Sequence, residues 1–458
     1  MMESKESFYE DHLENLSSLY GQIVWLREKD IIPWPDLARK DKMIDAHIDG
    51  LVVGGDRALS FCENCAYDED IGKCYGVARL LVRQGKYNAF KRLSNRLDFM
   101  DEKFLDCVAR ALCHEPPSHE MENFLQFLFA LRGAHKRIAA RVAGFHRFDV
   151  ADHLYAELKD ISNGKKVLLD VIRALGKIRP SYGSDRFSGF LHSSDKDLKN
   201  AVLETLVKIG NPLAIRLSMD VVPPSSWPGT VLGLCPDKTV INDIFQGYRN
   251  GDHAVTSDHI LAVGLAGDAT VVPDLLSLLE IRELAESTAL SMNLITGADL
   301  KEEIFIEDEI DEDSLMDDEK KALADGTLFP DGQRPGENVV RLSQNPDHWI
   351  SWWNKEQGAF KDDLRYRNGK PISPSCLLES LSSEKTPTFI RVFTVTELSV
   401  RYGISVPFDP WMSVVAQSKA MRIFKQIIEK RASNFVEGVL YFNEMPVNEE
   451  NSLVYRKK

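Results

Sequence analysis

What this sequence lacks narrows its function first. It has no GxxxxGKS/T, no GxSxG and no GxGxxG stretch, so neither a phosphate-cradling loop nor a hydrolase nucleophile elbow is signalled. No run of about 18 apolar residues occurs, which argues against a membrane span. The N-terminal MMESKESFYEDHLENL lacks the apolar centre of a secretory signal. Positive charge is short: 56 Lys and Arg face 70 Asp and Glu, for a net charge of −14 and a pI near 5.4. Nucleic acid needs a cationic footprint, so it is not expected as a partner. The seven cysteines are few and odd in number, as expected of reduced thiols in a cytoplasm rather than a disulfide framework.

What is present is helical periodicity. Residues 252–297 give the clearest example. His259, Ile260, Leu261, Val263 and Leu265 form one apolar helix, which Gly267-Asp268 ends. A second carries Val271, Val272, Leu275, Leu276 and Leu279, with Pro273 near its start. A third is predicted over Arg282–Thr296, with Gly297 placed to take the left-handed residue after a helix. Similar helix ends recur at Asp170–Pro180, Ala201–Pro212, Thr230–Asp237 and Leu261–Asp268. The turns at Gly210, Pro236 and Gly267 predict a degenerate repeat of about 30 residues, the signature of an α-solenoid built from helix pairs. The Pro-rich stretch Val221–Gly229 interrupts this array and carries Trp227.

Composition breaks after Leu300. Eleven of the eighteen positions from Glu302 to Glu319 are acidic, and LFPDGQRPGEN follows. This segment is predicted to be a surface linker or loop. Helices are expected again after Asn345, over Pro374–Ser382, Pro387–Tyr402 and Asp409–Arg431, with an Asn368-Gly369 hairpin turn between. The expected organisation is all-α. It comprises an N-terminal helical bundle (residues 1–150), a HEAT-like repeat array (151–299), an acidic linker (300–344) and a C-terminal helical cap with tail (345–458).

Three blocks carry a resemblance: VWLREKDIIPWPDLARKDKMIDAHIDGL (Val24–Leu51), ALSMNLITGADL (Ala289–Leu300) and WWNKEQGAFKDDLRYRNGKPISPSCLLESL (Trp352–Leu381). Together they resemble a bacterial family with HEAT-like repeats and no established general activity. Genes of that family commonly lie beside those for type VI secretion tips, effectors and adaptors. The resemblance implies a cytoplasmic protein-binding module and supplies no catalytic residues. The chain departs from the family pattern in its richer acidic segment and in its tail after Arg431.

Candidate chemistry is thin. Cys62-Glu63-Asn64-Cys65, with Cys74, Cys107, Cys113 and His114, contains half of a zinc signature, against which stands the ordinary burial of helix cysteines. No metal or other cofactor is expected. His114-Glu115-Pro116-Pro117-Ser118-His119 is not a zincin motif, since two prolines forbid the helix and the second His is one position too far. Arg132, Lys136, Arg137, Arg141 and Arg147 form a basic group, read as a solvated helix face. Partner-binding candidates are Trp227, Trp352 and the acidic residues Glu307, Asp308, Asp311 and Asp313, which would steer a basic protein. The leading expectation is a non-catalytic immunity protein that holds a toxic effector. The alternatives are an adaptor loading an effector onto the secretion spike and, further off, a metal-dependent enzyme using Cys62 and Cys65.

Overall fold

The computed structural model describes residues 3–30, 32–66, 70–96, 101–211, 233–234, 245–251, 255–307, 310, 315–325, 327–329 and 335–447. It is predominantly helical. In the first half, one set of helices starts at a near-constant interval: α4 (Ile71–Arg83), α6 (Glu102–His114), α8 (Ala134–His146), α10 (Lys165–Ile178) and α12 (Lys196–Lys208). Their starts lie 31 or 32 residues apart. The N-caps follow suit, with Asp70, Asp101 and Asp195 each accepting a backbone N–H of the first turn.

These helices pack side by side in chain order. The first also packs on α1 (Glu3–Lys29), which lies on α2 (Ala38–Val53). Alternating with them are α3 (Gly55–Cys65), α5 (Tyr87–Ser94), α7 (His119–Phe129), α9 (Ala151–Glu157) and α11 (Ser188–Leu191); α3, α7, α9 and α11 pack on their successors in the first set and α5 on its predecessor α4. Two glycines permit the close approach. A Cβ on Gly144 would stand 2.8 Å from Ala174 Cα, and one on Gly176 would stand 2.9 Å from Thr205 Oγ1. The apolar core runs from Tyr9 to Leu234. Val400, Val414 and Phe442 of the C-terminal third join it.

A second core joins α13 (Ser257–Ala266), α14 (Val272–Leu278), α15 (Arg282–Thr296) and α17 (Pro346–Glu356). Gly297 does end α15 in the left-handed region, at φ 65°. The expected Asn368-Gly369 hairpin forms between β3 (Tyr366–Arg367) and β4 (Lys370–Pro371), with positive φ at both turn residues. A third core holds α18 (Pro374–Ser382), α19 (Thr388–Tyr402) and α20 (Val414–Arg431), followed by the small ribbon β5 (Tyr441–Phe442) and β6 (Met445–Pro446).

The acidic segment corrects an expectation. Its two ends are not linker: β1 (Lys301–Glu307) pairs antiparallel with β2 (Gly336–Leu342), and α16 (Asp317–Ala324) lies between them in sequence. The alternation Glu302, Ile304, Ile306 against Val339 and Arg341 is a period-2 pattern that the density of acids masks. The cap helix also starts later than Asp409. Residues 403–413 are non-helical and form an extended strap before α20.

Candidate functional site

The strap determines which faces are available. It runs back along the helix stack, and arginines of the stack hold it and the end of α19 that precedes it. Arg179, in the left-handed C-cap of α10, donates to Ser399 O and Oγ at 2.7 and 2.8 Å. Arg147, in the matching position of α8, donates to Val406 O at 2.9 Å. The Arg110 guanidinium of α6 stacks 4.1 Å from the Trp411 ring centre. Arg27 of α1 donates to Trp411 O and Met412 O, and also pairs with buried Asp41 at 3.1 Å. Asp41 in turn accepts the Val414 N–H at 2.8 Å. At the near end of α19, Asp30 accepts the Thr388 N–H at 3.0 Å. One face of the stack is thus closed by the chain's own C-terminal third.

Between strap and stack lie two adjoining cavities. The larger, about 400 Å3, is lined from α6, α8, α10 and α12 and by Asp409 and Trp411 of the strap. The smaller, about 140 Å3, shares Phe145, Lys177, Lys208 and Asp409 with it and reaches α19.

The basic group is not a solvated face. Lys136 and Arg137 are buried. Lys136 pairs with Glu157 and Asp160, Arg137 with Glu102 and Asp170, and Arg141 with Asp106 and Asp170. These acids sit on adjacent elements of the stack, so the ion pairs bridge neighbouring helices. Glu115 is likewise buried and is gripped by Arg79 and Arg83.

The cysteines are not gathered into a ligand set: among the described residues no three His, Cys, Asp or Glu groups stand together as a metal site. Burial pushes the Cys62 and Cys113 thiols up to about 12, and Cys107 is raised too, so these sulfurs are protonated packing groups.

Of the partner candidates, Trp352 is half-buried, its ring 6.3 Å from Phe360 and 6.4 Å from Trp353, while Trp349 is core and donates to Ser343 O at 2.6 Å. Glu307 is exposed at the end of β1. Trp227, Asp308, Asp311 and Asp313 lie outside the described residues. Sequence reasoning missed the β1–β2 ribbon itself. Phe305 is 55% and Val340 65% exposed on one of its faces, and Ile306 is exposed on the other. The apolar letters IFI between acids were the available signal.

Two enclosed histidines give a pH dependence. His114 Nδ1 shares a 2.8 Å hydrogen bond with the Tyr75 hydroxyl, whose oxygen also accepts from Arg79. Burial first, then Arg79, Arg27 and Arg110, hold His114 well below its usual range. Burial also lowers His146, whose Nε2 faces Leu112 O at 3.2 Å. With folded values depressed, the unfolded chain alone takes up these protons as pH falls below about 6.5. Each histidine should then remove up to about 1.4 kcal/mol of stability per pH unit. Carboxylates such as Glu102, held at about 2 chiefly by its hydrogen bond to Arg137, add their loss only at lower pH. Urea midpoints at pH 7.5, 6.5 and 5.5 should fall with pH, and less steeply in His146→Gln.

Neither a protein-family model nor a curated protein matches the chain. No described helix is long and apolar enough to cross a membrane.

Proposed function

We propose that this chain is a non-catalytic protein-binding module, and most concretely an immunity protein of a type VI secretion locus that binds and neutralises a toxic effector. The side-by-side helices at a 31- to 32-residue interval support reading the stack as a HEAT-like α-solenoid. The observation that carries the binding reading is the β1–β2 ribbon. A two-stranded ribbon is marginal alone in water, yet this one presents Phe305, Ile306 and Val340 outward beside a run of acids. The strap covers one face of the stack, whereas the ribbon presents its apolar side chains to solvent. A basic toxin domain would complement the acids and gain rate from steering. The type VI context rests on the resemblance of the three sequence blocks described above.

The test is co-expression with each secreted effector of the same locus. Growth rescue by the wild-type chain, with a stoichiometric complex on gel filtration, supports the reading. Phe305→Ser/Val340→Ser should abolish rescue while leaving the unfolding free energy from urea denaturation within about 0.5 kcal/mol, as for exposed positions. No rescue of any effector would sink the immunity role. Recovery of a spike component together with cargo would replace it with the adaptor role.

A further inference from the structure

We propose that the larger cavity on the strapped face binds a small multivalent anion, a phosphate-bearing or polycarboxylate molecule. This inference does not depend on the protein-binding reading. The cationic side chains of this face divide cleanly. Arg110 is taken by the Trp411 ring, Arg141 by Asp106 and Asp170, Arg147 by Val406 O and Arg179 by Ser399. Arg173, Lys177 and Lys208 remain. All three line the 400 Å3 cavity, and among the described residues none has a carboxylate within ion-pair distance.

Their gathering is built by the fold. Arg173 and Lys177 are one turn apart on α10 and share a face. Gly176 allows α12 to approach so closely that Lys208 Cδ would lie 3.4 Å from a Cβ placed there. Lys208 thus stands beside this face of α10; burial lowers its pKa, Glu204 opposes that shift, and the charges of Lys177 and Arg173 add to it. Glu204 and Asp409 also line the cavity and offset part of this charge, but three cations outnumber these two acids, and a bound anion would relieve the remaining repulsion. The cavity has the volume of a small-molecule cleft, for which about 300–1,000 Å3 is typical. Phe145, Ala174 and Trp411 give it an apolar wall, while the acids Asp106 and Asp170 are already ion-paired, Asp106 with Arg141 and Asp170 with Arg137 and Arg141. A macromolecular polyanion fits less well, because the strap roofs the cavity.

The experiment is isothermal titration calorimetry of the full chain at low salt, with inorganic pyrophosphate and citrate as probes. Saturable one-site binding of either probe is expected, weakened by added salt. Pyrophosphate alone would mark a phosphate-bearing ligand, citrate alone a polycarboxylate. Arg173→Gln/Lys177→Gln should weaken binding by roughly tenfold or more, since charge-assisted hydrogen bonds are lost. Lys196→Gln, at the far end of α12, should leave it unchanged. Should the double variant fail to show a cooperative melt, Lys208→Gln carries the same expectation. Absence of saturable heat with both probes, or equal loss in Lys196→Gln, overturns the proposal.

Discussion

Glu397→Ala should destabilise the protein by about 3–5 kcal/mol, the cost of leaving buried charge unpaired. Glu397 lies between two guanidiniums. Arg367 reaches Oε2 at 2.7 Å and Arg401 reaches Oε1 at 3.1 Å, with all three side chains no more than 1% exposed. Both arginines also tie distant elements, since Arg367 donates to Leu265 O of α13 and Arg401 to Gly233 O. Several of their nitrogens already lack a hydrogen-bond partner, namely Arg367 Nε and NH1 and Arg401 NH1. Removing the one carboxylate would leave two cations in a dry interior. Glu397→Gln, which keeps an acceptor but no charge, should fall between. A volume-matched apolar triple replacement at 367, 397 and 401 should recover much of the loss, because the ion pairs are weak stabilisers once desolvation is counted. Urea denaturation decides this, and a Glu397→Ala loss under about 1 kcal/mol would contradict the argument.

Arg27→Ala should have a comparable effect and a local signature. The side chain is buried and serves three partners: Asp41, Trp411 O and Met412 O. Alanine strands Asp41, whose carboxyl burial already pushes upward, and frees two strap carbonyls. A loss of about 3–5 kcal/mol is expected. Amide hydrogen exchange in residues 403–413 should accelerate beyond that of α8 and α10, because the strap opens before the stack does. Arg27→Lys should not restore it, since an ammonium cannot present the planar fork that reaches carboxylate and carbonyls together. Uniform acceleration across the chain would mean the strap is no independent unit.

Helix existence was legible from the sequence and the helix-to-helix architecture less so. Arg282–Thr296 closing at Gly297 and Pro374–Ser382 follow their capping and periodicity signals to the residue. A recurring interval was expected only where turns carry Gly or Pro. The equivalences Gly144/Gly176 and Arg147/Arg179, both 32 apart, show that the same interval runs earlier in the chain. They were hidden because a left-handed arginine does the work usually given to glycine. The basic group misled for a related reason. Charge reads as solvation in one dimension, and only the stacking of α6, α8 and α10 brings Glu102 and Asp170 around Arg137. The ribbon was lost beneath acids whose composition suggests disorder. The strap was missed, since Ile404–Phe408 reads as an ordinary loop, Asp409–Ser413 was expected in the following helix, and its hydrogen-bond partners on the stack lie some 259 to 385 positions away.

That distance matters for how the chain is made. On a ribosome adding about 5–20 residues per second, the helix stack through Lys208 is complete many seconds before Ser399 emerges. Throughout that interval Arg27, Arg147 and Arg179 wait with their final acceptors unsynthesised. The nascent protein therefore exposes a groove that the finished one closes, and it is during translation that chaperones or premature partners have access to it. Contacts of such long sequence separation also place docking of the C-terminal third late on the folding pathway, as the slow step.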